Sequence, residues 1–250
     1  MLRTPALCLA LGFGLLLPIA AQAQDSTIRW SAYPADRGKV QLTLAQGGQK
    51  NNQDWGAQEL QGLDARFPNG PLSFRIPRDA GTLACSGTGR GGRGEGTCRF
   101  ERDAAYFEGL SRRNVTVTSD IIAWQLALFD VKLTLLDELR RQQYATPSAA
   151  QLVAAGIFKV DAAFVQALGA AGYRHKTLED LIPFRIHNVT PEWIAGWRAL
   201  GYELTVAQLT STRIHNVSPD YARAMMAEVR DRPSVDQFIA MRIHGARPGR

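Results

Sequence analysis

Tyr144, Tyr173 and Tyr202 stand 29 residues apart, and Val131, Val160, Val189 and Val217 form a second column spaced 29, 29 and 28. Self-similarity at such a period constrains a fold more than any local motif. Each unit must be one supersecondary element that buries its apolar face by stacking on the next. Twelve residues before each valine comes Ser119, Ser148, Thr177 or Thr205, and Ser234 continues the series before Ala246. A Ser or Thr there caps a helix, because its oxygen accepts from an otherwise unpaired backbone N–H. Gln151, Gln208 and Gln237, three residues further on, complete capping boxes, with Asp180 a weaker version.

The first helix of each unit runs to about the valine. Its apolar columns read as Leu152, Leu181, Leu209 and Phe238, then Leu128, Ile157, Ile186, Ile214 and Ile243. A second helix follows. Thr190-Pro191-Glu192 and Ser218-Pro219-Asp220 place a cap, a proline at the first helical position and an acid near the positive helix end. Its inward columns are Leu135, Phe164, Trp193 and Tyr221, then Leu139, Leu168, Trp197 and Met225. Gly172 and Gly201 stand where a left-handed cap is needed, and the tyrosine after each packs back on its hairpin. The end units are atypical: the first lacks a glycine before Tyr144, and the last has Val229-Arg230 for Gly-Tyr.

Upstream, from Thr27 to Phe107, the period is two. Ile28, Trp30 and Ala32, then Val40, Leu42 and Leu44, then Leu72, Phe74 and Ile76 alternate with mostly polar residues, which predicts half-buried strands. Gly47-Gly48 and Pro68-Asn69-Gly70-Pro71 separate them. Residues 81–101 read as one hairpin. Folded about its glycine-rich middle, it sets Cys85 opposite Cys98 and Leu83 opposite Phe100 on one apolar face, which predicts a disulfide. The expected fold class is α+β: a small antiparallel β-domain over 24–107, then an α-helical hairpin array of about 29-residue units over 108–250.

Residues 1–23 read as a secretory signal. Arg3 precedes an apolar run from Ala6 to Ala20, and Ala21-Gln22-Ala23 is a small-x-small cleavage site. The run is short for a membrane span, and no later stretch is longer, so no stable span is expected. Cys8 lies too early in the run for a lipid-anchored cysteine to leave a signal before it. A periplasmic or secreted product follows, and the even pair Cys85 and Cys98 suits an oxidising compartment. The charge of +6 is spread among mixed acids and bases, with no basic block of the kind that binds nucleic acid.

Several motifs invite a chemical reading. Arg185-Ile186-His187, Arg213-Ile214-His215 and Arg242-Ile243-His244 repeat with the units. Histidines on stacked helices would lie ~8–10 Å apart, too far to share one zinc. Phe129 and Phe158 fill the same column earlier, so a partly buried packing role comes first, with an Arg and His ladder facing an acidic partner as the functional alternative. Gly87 to Gly94 contains GxGxxG, but between strands it reads as a hairpin tip, with anion binding by Arg90 and Arg93 as the alternative. Asn114, Asn188 and Asn216 open Asn-Val-Thr/Ser motifs that read as turn chemistry. Trp30 and Trp55 read as core, with a sugar-stacking platform as the alternative. There is no HExxH, GxSxG or CxxC, so no catalytic residue, metal or cofactor is expected.

Val189-Thr-Pro-Glu-Trp-Ile and Ala199-Leu-Gly-Tyr202 resemble a repeat of bacterial exported proteins. It also occurs in the extracytoplasmic regions of some transmembrane metallopeptidase sensors of the β-lactamase-regulator type. The Phe74 to Thr82 stretch and its glycine-rich hairpin resemble the β-region that precedes those repeats, so the likeness spans roughly residues 38–246. The family's membrane helices and zinc-protease motif are missing from this chain, so no catalytic residue carries over. The resemblance implies sensing, binding or scaffolding. The expected function is a non-enzymatic envelope protein that binds a protein partner through its helical surface. The alternative is a cell-wall or carbohydrate binder using the β-domain.

Overall fold

The computed structural model describes residues 27–173 and 177–249. The expected leader, with Cys8 and the cleavage point at Ala23, lies outside them. The architecture is α+β: one six-stranded antiparallel sheet, then helices.

The strands are β1 (Ile28–Pro34), β2 (Lys39–Gln46), β3 (Gln49–Gly56), β4 (Gly70–Arg78), β5 (Gly81–Arg90) and β6 (Arg93–Arg102), in the order β3-β2-β1-β6-β5-β4. The alternating sets Ile28/Trp30/Ala32, Val40/Leu42/Leu44 and Leu72/Phe74/Ile76 are buried as expected. Strand β3 has no such alternation. Only its Trp55 is buried, and it forms a polar edge paired to β2. The β5–β6 register sets Cys85 opposite Cys98 and Leu83 opposite Phe100, and the two cysteines form a disulfide. Closing that short loop contributes about 3 kcal/mol in the chain-entropy model.

The sheet coils around its buried face. Trp30 and Phe74 lie on strands three places apart, about 14 Å in a flat sheet, yet their ring centroids are 5.0 Å apart. Glycines make room. A Cβ at Gly87, Gly94 or Gly96 would stand 2.7, 2.9 or 2.8 Å from the Trp30 indole, whose Nε1–H donates to the Ser86 carbonyl at 3.0 Å. Gly91 and Gly92, at φ 59° and 75°, make the tight two-residue turn between β5 and β6. Every glycine of the GxGxxG stretch therefore has a place in this hairpin.

Ten α-helices follow among the described residues: α1 (Ala104–Ser111), α2 (Asp120–Leu128), α3 (Leu133–Arg141), α4 (Ala149–Ile157), α5 (Ala162–Ala170), α6 (Ile182–Ile186), α7 (Pro191–Ala199), α8 (Val206–Ile214), α9 (Pro219–Met226) and α10 (Val235–Ile243). The boundary expected at 107/108 lies inside α1. Ser119, Ser148, Thr205 and Ser234 cap their helices, and Gln151, Gln208 and Gln237 close full capping boxes. Unit three differs. The Thr177 hydroxyl bonds the Asp180 side chain, a single 3-10 turn precedes α6, and Pro183 in the first turn of α6 brings no N–H. Alternate helices pack on one another. One row is α1, α3, α5, α7 and α9; in the other, α2 packs on α4, α6 on α8 and α8 on α10. A bond between the Gln151 and Glu179 side chains links α4 to the turn before α6.

Gly96→Ala is expected to cost about 1–3 kcal/mol in urea unfolding, because its Cβ would fall 2.1 Å from the Ser86 carbonyl oxygen. Gly91→Asn, in the same hairpin but with open space around it, should be close to neutral.

Candidate interaction surface

Every helix of the array except α9 ends in one way. The residue after the C-cap turns left-handed, and the next N–H returns to a carbonyl five residues back. Asp130, Lys159, Asn188, Asn216 and Gly245 take positive φ after the first helices of their units. The N–H groups of Val131, Val160, Val189, Val217 and Ala246 then donate to Leu126, Ala155, Phe184, Thr212 and Met241. After the second helices, Asn114, Gln143, Gly172 and Gly201 do the same for Val115, Tyr144, Tyr173 and Tyr202. This is the Schellman closure. It assigns Asn114, Asn188 and Asn216 to the left-handed cap, and it makes Thr190 and Ser218 the N-caps that accept from Trp193 and Tyr221.

The closure also fixes which residue comes last in the first helices: Leu128, Ile157, Ile186, Ile214 and Ile243. Within this apolar column only Leu128 is buried. Leu128 is 3% exposed, whereas Ile157, Ile186, Ile214 and Ile243 are 47, 53, 56 and 60% exposed. The reason is rotational. Residue 157 lies five positions after buried Leu152, and at about 100° per residue it points ~140° away from it. The inward places belong to Leu126, Ala155, Phe184 and Thr212 instead.

Leu128 is covered because the sheet lies on α2. Trp124 and Leu128 join the core of the sheet, the Trp124 indole donates to Gln46, and Gln125 donates to Gln49 at 3.1 Å. The matching faces of later helices carry small residues that lead to the isoleucine: Ala150 and Ala154 on α4, Ala207 and Ser211 on α8, and Ala240 on α10.

Beside each of the last three isoleucines, an arginine stacks on an aromatic ring of the preceding helix. Arg185 lies 3.8 Å from the Phe164 ring centroid, Arg213 3.9 Å from Trp193 and Arg242 5.0 Å from Tyr221. Such cation–π contacts are worth roughly 0.5–2 kcal/mol each. Burial lowers the pKa of the Arg213 guanidinium from its ordinary value. The following residues, His187, His215 and His244, are C-caps, half-buried in the first two cases and exposed in the third. Among the described residues, no group of three His, Cys, Asp or Glu side chains is placed to hold a metal ion.

The remaining candidate residues lie elsewhere. Arg90 and Arg93 are exposed at the β5–β6 tip, with Arg93 5.4 Å from the Tyr33 ring. Trp30 and Trp55 are 2 and 3% exposed, so the sugar-stacking platform is not present; both belong to the core. A cleft of about 640 Å³ between one end of the sheet and α2 is lined by the disulfide, Arg99, Arg102 and Trp124. Its one carboxylate, Asp120, faces Arg102 at 3.4 Å. Among the described residues, no single helix is long and apolar enough to cross a membrane. Comparison with protein families, curated proteins and solved structures finds no match.

Ile214→Asp should cost only about 1–2 kcal/mol, since more than half of the side chain is already in water. Leu128→Asp, inside the sheet core, should cost more than about 3 kcal/mol. Thermal unfolding of the two variants checks the contrast.

Proposed function

We propose that this chain is a non-enzymatic exported protein that binds a protein partner in the cell envelope through the open face of α4, α6, α8 and α10. One observation carries the reading: four successive first helices each present an isoleucine about half exposed at the same place. Single exposed aliphatics are ordinary, but a contiguous apolar strip beside polar neighbours marks an interaction site. Stacked helices offer extended surfaces of this kind.

Two further points support the address. The Cys85–Cys98 disulfide suits an oxidising compartment, and residues 1–23 have the pattern of a secretory signal. The resemblance of the Val189 and Tyr202 motifs to extracytoplasmic sensor regions extends the reading to envelope sensing. The reading assigns no catalytic residue and no cofactor.

A photo-crosslinking amino acid at position 214, in cells that make the protein, should join it to one dominant protein. Ile186→Asp with Ile243→Asp in the same chain should abolish that adduct, and a crosslinker at Ser31, on the open sheet face, should not form it. Adducts from position 31 alone would move the binding surface to the sheet.

A further inference from the structure

Arg185 already has an acidic companion, and the two arginines that follow it do not. Asp161 caps α5 and sits 3.6 Å from the Arg185 guanidinium. Phe164, three residues after Asp161, supplies the ring beneath that guanidinium. The same geometry recurs as Thr190, Trp193 and Arg213, and again as Ser218, Tyr221 and Arg242. In both later cases the capping residue is neutral. Among the described residues, neither Arg213 nor Arg242 makes an ion pair; the Arg213 Nε, like that of Arg185, is buried without a hydrogen-bond partner. Nearby carboxylates are engaged elsewhere: Asp220 pairs with Arg223, and Glu192 is held by its own backbone and the Thr190 hydroxyl.

We propose that Arg213 and Arg242 receive two carboxylates from an acidic, aliphatic helix of the partner, at the position Asp161 holds beside Arg185. The proposal rests on the binding surface assigned above and names the chemistry that surface accepts. Ile214 and Ile243 directly follow the two arginines, so each rung offers one aliphatic and one cationic contact. His215, His244 and Arg247 add no negative charge beside the two arginines, and the exposed acid Asp236 lies two helical turns from Ile243, at the other end of α10. Like-charge repulsion therefore disfavours the same face of a second copy of this chain as occupant. Stacked helices lie about 8–10 Å apart. Residues seven apart on a helix are ~10.5 Å apart on one face, which fits the rung spacing. Alternate residues of a strand, ~6.7 Å apart, do not. The partner segment is thus an amphipathic helix crossing the rungs, with an aliphatic and an acid recurring each heptad.

The test uses the full chain and a fluorescent three-heptad helical peptide with leucine and glutamate adjacent in each heptad. Its lysine-for-glutamate analogue and phosphatidylglycerol-rich vesicles serve as competing probes. The glutamate peptide should bind, and the other two should not. Thr190→Asp with Ser218→Asp gives Arg213 and Arg242 internal carboxylates while keeping good caps. That variant should bind the glutamate peptide at least about tenfold more weakly. Arg213→Glu with Arg242→Glu should reverse the preference towards the lysine peptide. Failure of the glutamate peptide to bind, equal binding of the lysine peptide or vesicles, or unchanged affinity in the Asp variant would each overturn the proposal. The cellular adduct from position 214 separates the two readings. If it survives Thr190→Asp/Ser218→Asp but not Ile186→Asp/Ile243→Asp, the surface stands and the carboxylate docking fails. If it survives both, both fail.

Discussion

The backbone closure at the end of every helix except α9 governs the helical half. A left-handed residue followed by an N–H returning five positions stops most of these helices after eight or nine residues. It turns the chain into the next helix and sets a buried valine or an inward-packing tyrosine against the hairpin. It also decides what stands at the rim. The last helical residue of the first helices is Leu128, Ile157, Ile186, Ile214 or Ile243, and its exposure depends on what covers that rim.

Among the described residues, only the sheet covers it, and only at α2. The sheet covers Trp124 and Leu128 where β4, β5 and β6 pack on α2, and Gly87, Gly94 and Gly96 leave room for the Trp30 indole in the same core. The sheet is therefore joined to the array and not merely tethered ahead of it. Ala80 and Tyr106 enter the helical core, the Tyr106 hydroxyl donates to the Val131 carbonyl at 2.8 Å, and Lys132 bridges Asp79 and Asp130. Beyond α2 the same face is bare, and its alanines and isoleucines meet water. The arginines beside them are held by rings from the neighbouring helix, which fixes planar cations beside apolar contacts before any partner arrives.

Much of this was legible in the residues. The alternation of β1, β2 and β4, the hairpin register that pairs Cys85 with Cys98, the Ser and Thr caps, and the left-handed Gly172 and Gly201 all follow from local rules. Strand β3 was not legible, since Lys50, Asn51, Asn52 and Gln53 give an edge strand no apolar face to announce it. The capping box expected at Thr177 gave way to a 3-10 turn. The direction of the isoleucine column was not legible from its apolar identity alone. Leu128 and Ile214 occupy equivalent places, and their opposite burial is set by a sheet that belongs to a different part of the chain. A rotation count from Leu152 gives that direction; the covering of Leu128 cannot be counted in this way. The arginine ladder was visible as a repeat, but its pairing with Phe164, Trp193 and Tyr221, and the acid at only the first rung, required the fold.

The account depends on the isoleucine row being open in the free protein. The most direct measurement is the relaxation of isoleucine δ1 methyl signals by a soluble paramagnetic agent in dilute full-length protein. Strong enhancement at Ile157, Ile186, Ile214 and Ile243, with little at buried Ile28, Ile76 and Ile194, is the predicted result. Protection of the four row isoleucines to the level of the buried three would mean that the rim is closed, and would contradict the account.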